Sequence, residues 1–221
     1  MRTRPLLLGH RGARGEKSVA ENTLAAFDLA LAQGCDGFEF DVRLTADGQA
    51  VICHDETTHG LRISQCPAAD LGLPRLRDVL ARYQKSAFLD IELKVPGLER
   101  MTTGLLRTLA PARGFVISSF LPEILQTIHG LDSSTPLGLI CDTAVQLSVW
   151  PRLPVAYVIP HYKLVRRKLM SEIRTAGKKM VVWTVNAPAE MKRFSDWGVD
   201  GIISDSPKRL VLTLGPKTER P

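Results

Sequence analysis

Residues 37–55, GFEFDVRLTADGQAVICHD, place two carboxylates and a histidine in one strand, turn and strand unit. Along 38–44 the side chains alternate, so Glu39 and Asp41 leave one face of a strand about 7 Å apart. Two acids side by side repel unless a positive group joins them. A hard divalent cation with oxygen ligands suits such a pair and spares the fold an unpaired buried charge. Thr45-Ala46-Asp47-Gly48 reverses the chain, since Asp-Gly tolerates the positive φ of a tight turn. Residues 51–53 then lead on to His54 and Asp55, which sets a titratable ring close to the acid pair.

Outward from this unit, short apolar strands and helices alternate to both ends of the chain. Val/Ile/Leu-rich segments predict strands at 5–8, 38–44, 87–93, 115–118, 137–141, 156–160, 179–185 and 201–204. Helices are expected at 75–83, 98–109, 122–129, 144–150, 165–176, 188–197 and from Pro207 onward. One more helix carries the apolar stripe Leu24, Phe27 and Leu31, with a Ser18/Glu21 capping box or Asn22 as its cap and Gly34 as its stop. Eight strands alternating with helices predict a closed α/β fold, a (β/α)8 TIM barrel, with residues 1–221 as one domain. The polar stretch 56–74 is a short insertion after the second strand that can form a lid or a rim.

Such barrels carry their chemistry where strands end at the C-terminal mouth. His10, Glu39, Asp41, Glu92, His161, Trp183 and Asp205 all fall near or beyond such ends. The glycine-rich run 9–15 allows sharp turns and close approach to a ligand. Asp205 also stands where it can cap the helix that opens at Pro207. Glu92 and Lys94 share a strand face, and His59 and His129 read as surface residues.

The 221 residues are 44% hydrophobic and 24% charged, enough for one well-buried core. The net charge of +6 is spread over short basic clusters without interleaved aromatics, which argues against a nucleic-acid surface but favours phosphate-bearing substrates. Cys35, Cys53, Cys66 and Cys141 lack CxxC or Cys/His ligand spacing, so reduced thiols and a cytoplasmic location are expected rather than zinc or disulfides. MRTRPLLL is too short for a signal peptide, no later run predicts a membrane span, and 215–221 reads as a frayed tail.

In order, His10-Arg11-Gly12, Glu21-Asn22-Thr23, Glu39-x-Asp41-Val42, Thr45-x-Asp47-Gly48, His54-Asp55 and Glu92-x-Lys94 resemble the glycerophosphodiester phosphodiesterase family. Trp183-Thr184-Val185-Asn186 and 198–207, GVDGIISDSP, extend the resemblance over nearly the whole chain. It implies one divalent cation, Mg2+ or Ca2+ with Mn2+ also suited, held by Glu39, Asp41 and Glu92. It further implies His10 and His54 as the acid/base pair, Arg11 and Lys94 as phosphate contacts, and Trp183 as a wall beside the glycerol moiety. The expected activity is hydrolysis of glycerophosphodiesters, such as glycerophosphocholine and glycerophosphoethanolamine, to glycerol 3-phosphate and an alcohol. Two alternatives are a lysophospholipase D-like or phospholipase-like activity on lipid phosphodiesters and a non-catalytic phosphate-binding barrel. The partner is then a small-molecule substrate, with no nucleic acid, no stable membrane insertion, and a monomer or homodimer as the working unit.

Overall fold

Short apolar strands that are buried on both faces cannot stand at a sheet edge, and here they close on themselves. The structure is a computed structural model describing residues 4–215; the outermost residues of the expected N-terminal run and tail lie outside it. Its strands are β1 (Leu6–Gly9), β2 (Gly37–Leu44), β3 (Ala50–Ile52), β4 (Thr57–Thr58), β5 (Leu61–Arg62), β6 (Phe88–Leu93), β7 (Phe115–Ser119), β8 (Leu137–Cys141), β9 (Tyr157–Pro160), β10 (Lys179–Val182) and β11 (Gly201–Ser204). Its helices are α1 (Leu24–Ala32), α2 (Leu76–Tyr83), α3 (Glu99–Thr108), α4 (Pro122–Leu131), α5 (Ala144–Leu147), α6 (Arg167–Thr175), α7 (Pro188–Trp197) and α8 (Pro207–Leu214).

Parallel pairing runs β1-β11-β10-β9-β8-β7-β6-β2 and returns to β1, which closes an eight-stranded barrel. β3 adds to β2 antiparallel through the Asp-Gly turn, as the opening stretch of sequence predicts. The register sets Asp41 beside Glu92 and Glu39 beside Asp90, so acids from two strands meet at one mouth. No helix among the described residues is long and apolar enough to cross a membrane.

Close packing holds β2 in place. Phe27 of α1 stacks on Phe38 with ring centroids 4.3 Å apart, and Tyr83 of α2 meets Phe38 edge-on at 4.9 Å. Gly37 lies so near β6 that an added Cβ would come within 1.8 Å of the Phe88 carbonyl oxygen. Gly37→Ala is therefore expected to cost about 3 kcal/mol, read as a lowered Tm, because backbone rather than a mobile side chain must move.

Several boundaries differ from the sequence expectation. α1 is capped by Thr23, whose hydroxyl accepts from the Ala26 N–H at 3.2 Å, and not by Ser18 or Asn22. Asn22 is instead buried at a φ of 57°, with its amide turned into the barrel mouth. The helix expected at 144–150 is the four-residue α5 followed by a 3-10 turn, where Pro151 supplies no N–H donor. α6 begins at Arg167, and β10 stops at Val182, with Trp183 just beyond it in an isolated parallel bridge to His161. The insertion folds as the hairpin β4–β5 and two 3-10 turns around the cluster Val51, Ile63, Ala68 and Leu71.

Candidate active site

Strand pleating aims Glu39 and Asp41 of β2 and Glu92 of β6 at a common point. Carboxyl oxygens from the three lie within 4.8 Å of one another, and all three residues are buried. Asn22 fixes Asp41: its amide donates to Oδ2 at 2.8 Å, and its Oδ1 accepts from the Asp41 N–H at 3.3 Å. The Arg11 N–H donates to Glu39 Oε2 at 2.9 Å, while Glu39 Oε1 is buried without a hydrogen-bond partner. A buried carboxylate oxygen left unpaired beside two further acids fits a divalent-cation site, since such ions take several oxygen ligands.

The electrostatics follow from this crowding. Burial, then repulsion from Asp41, Glu92 and Asp90, pushes Glu39 well above the ordinary carboxylate range. Burial and the Asp41 charge likewise bring Glu92 up to about 7, against the pull of Lys94. Asp90 is also pushed up to about 7, chiefly by burial, although the Ser118 hydroxyl donates to it at 2.5 Å. Asp41 behaves otherwise. Burial opposes its charge, but Lys94, the Asn22 amide and Arg11 together hold it below the usual aspartate value.

Two cations already answer the acids. Lys94 Nζ stands 2.6 Å from Glu92 and 3.3 Å from Asp41, and Arg11 lies 3.3 Å from Asp41 and 2.6 Å from Glu21. His10 and His54 line the same cavity, of about 240 Å³, with Arg11, Glu39, Glu92 and Lys94. His10 Nδ1 is 2.7 Å from Asp205, and its Nε2 is 3.8 Å from Glu39. His54 Nδ1 is 2.7 Å from Asp55, and burial draws its ring below the ordinary histidine value.

The opposite wall is apolar. Phe120 and Trp183 meet edge to face with centroids 5.6 Å apart, and Ile140, Ile159 and Ile203 complete it. Trp183 is oriented by its indole N–H, which donates to the Ile159 carbonyl at 2.9 Å. Thus the structure brings together His10, Arg11, Glu39, Asp41, His54, Glu92, Lys94 and Trp183. His161 stays at the rim, packed against Trp183 at 5.4 Å, and His59 and His129 are exposed.

Sequence reasoning missed the working position of Asn22 and, although it set Asp205 near the barrel mouth, missed its bond to His10. Asp205 makes no cap to α8; it bonds His10, accepts from the Asn186 amide at 2.6 Å and meets Arg14 at 3.3 Å. Its place one residue beyond β11, and so beside β1 once the barrel closes, was the available signal.

The family model described as "Glycerophosphoryl diester phosphodiesterase family" matches residues 10–104 and 98–209. A glycerophosphodiester phosphodiesterase of Caldanaerobacter subterraneus subsp. tengcongensis is 30% identical, with 93% of this chain and 96% of the relative covered. The chain belongs to the glycerophosphoryl diester phosphodiesterase family. It is accordingly an enzyme of the phosphoric diester hydrolase class. Among solved structures, an Oleispira antarctica phosphodiesterase in complex with the product sn-glycerol-3-phosphate superposes with a TM-score of 0.83 at 26% identity, covering 95% of this chain and 96% of that one. A glycerophosphodiester phosphodiesterase of Parabacteroides distasonis shares the fold at a TM-score of 0.85 and 24% identity, covering 97% of this chain and 98% of that one.

Proposed function

We propose that this family member hydrolyses glycerophosphodiesters, with glycerophosphocholine and glycerophosphoethanolamine as representatives, to glycerol 3-phosphate and an alcohol. The carrying observation is that three buried acids converge beside one cavity, which two of them, Glu39 and Glu92, line together with two histidines and two cations. A phosphodiester resists attack because it is anionic and its alkoxide is a poor leaving group, so both charge and proton must be supplied. Glu39, Asp41 and Glu92 hold one divalent cation, Mg2+, Ca2+ or Mn2+ by donor chemistry. When bound, it supplies positive charge to a nonbridging phosphate oxygen and acidifies the attacking hydroxyl.

Arg11 and Lys94 share the phosphate charge from the same side. His54, which burial keeps neutral near pH 7, accepts the nucleophile's proton at its free ring nitrogen. His10, with Nδ1 tied to Asp205, delivers a proton from Nε2 to the departing oxygen. Trp183 and Phe120 exclude water and pack against the carbon chain of the glycerol arm.

The test is release of glycerol 3-phosphate by the purified protein. Turnover of glycerophosphocholine is expected with an added divalent ion and lost on exhaustive EDTA treatment. Turnover of lysophosphatidylcholine alone would transfer the assignment to lipid phosphodiesters. Binding of glycerol 3-phosphate without turnover under any divalent ion would favour a binding barrel.

A further inference from the structure

A second cavity, of about 400 Å³, lies beyond the catalytic one and is lined by Arg43, Thr45, Glu56, Arg62, Ser64 and Val95 among others. The two adjoin along the chain, because Glu56 follows His54 by two residues and Val95 follows Lys94 directly. Strand pleating also links them. Glu39, Asp41 and Arg43 alternate along β2, so Arg43 continues the row of acids outward by about 7 Å beyond Asp41.

Arg43 is the unusual group in this cavity. Its Nε donates to the His54 carbonyl oxygen at 2.7 Å, which pins the guanidinium plane against the histidine segment. Among the described residues, its two terminal nitrogens have no hydrogen-bond or ion-pair partner. The neighbouring Arg62 is paired with Glu56 at 3.3 Å, whereas Arg43 makes no ion-pair contact among the described residues and shares its charge only at longer range with Asp55. A half-buried guanidinium anchored through Nε and open at both Nη atoms presents the fork that pairs with a planar carboxylate.

Resting on the reading of the site as a glycerophosphodiesterase, we propose that this cavity seats the leaving alcohol and that Arg43 selects alcohols bearing a carboxylate. With phosphorus held at the level of Asp41, an oxygen and a short carbon chain bridge the one-pleat step outward. The serine headgroup has that reach, and it differs from ethanolamine only by the carboxylate. Hydrolysis itself is unchanged: water cleaves the phosphorus–oxygen bond on the serine side, giving glycerol 3-phosphate and serine.

The test compares kcat/KM for glycerophosphoserine and glycerophosphoethanolamine at saturating divalent ion. A charge-assisted hydrogen-bond pair predicts a preference for serine of roughly tenfold or more in the unmodified protein. Arg43→Gln is expected to bring the ratio near one; any shift of His54 lowers both substrates alike and cancels. Arg62→Gln is expected to leave the ratio within about twofold, as a screened exposed pair contributes little. An unmodified ratio at or below one, or a ratio unmoved by Arg43→Gln, overturns the proposal. Collapse only in Arg62→Gln moves the carboxylate seat and overturns it too. Failure to hydrolyse either substrate instead overturns the functional reading on which it rests.

Discussion

Replacing His10 with asparagine is expected to lower kcat for glycerophosphocholine by about 10²- to 10⁴-fold while the fold and KM persist. The expectation rests on a ring oriented from both sides, with Asp205 at 2.7 Å from Nδ1 and Nε2 directed toward Glu39. Asparagine retains a polar group but cannot pass a proton to an alkoxide. Asp205→Asn should give a smaller loss, again in kcat, because an amide can still hydrogen-bond Nδ1 but cannot balance the charge of a protonated ring. A stability readout separates this pair from simple packing. Burial opposes the Asp205 charge, but His10, Asn186 and Arg14 outweigh it and hold the carboxyl well below its ordinary value. An acid depressed in the folded state stabilises above its unfolded pKa and loses that contribution as pH falls through the folded one. The Tm gap between the parent and Asp205→Asn should thus be full at neutral pH, begin to narrow near about pH 4, and go on closing as pH falls further toward the depressed folded value. A gap independent of pH, with undiminished kcat in His10→Asn, would remove this histidine from the reaction.

What could be read in the sequence follows the distance over which each feature is encoded. Glu39, Asp41 and His54 sit within one strand-turn-strand unit, so alternation and an Asp-Gly turn were enough to place them. The barrel was legible because strands buried on both faces are apolar throughout, and the alternation with helices leaves few topologies. Asp205 was not. It meets His10 only because closure pairs Gly9 with Ser204 across almost the whole chain, and in isolation an aspartate before Pro207 reads as a cap. Asn22 misled for a related reason: asparagine favours both helix caps and positive φ, and the choice was made by Asp41, whose burial demanded an amide. The strand expected at 179–185 ends its regular ladder at Val182, with only an isolated bridge at Trp183 beyond, because apolar runs do not mark where a ladder stops.

Glu39→Gln is expected to reduce divalent-ion binding and to lower kcat on the order of 10³-fold, while making the metal-free protein more stable. Glu39 is raised by burial and by the neighbouring carboxylates of Asp41, Glu92 and Asp90, against which the Arg11 N–H and the Lys94 charge favour its ionised form. Glutamine keeps the shape and can still accept from Arg11, but it brings no charge to a cation; losing several kcal/mol of charge stabilisation accounts for the rate. The stability change has the opposite sign. A carboxyl whose folded pKa lies above its unfolded one holds a proton that the unfolded chain releases, so it weakens the fold as pH rises through the unfolded value. Metal-free Glu39→Gln should therefore melt above the parent at pH 7, with the difference vanishing below about pH 4. Cation binding to the parent must expel the protons that Glu39 and Glu92 retain, giving a calorimetric enthalpy that depends on the buffer's ionisation heat. In Glu39→Gln that dependence should shrink together with the affinity. Parent-like affinity, proton release and turnover in this variant would show that the acids of β2 and β6 do not hold the ion.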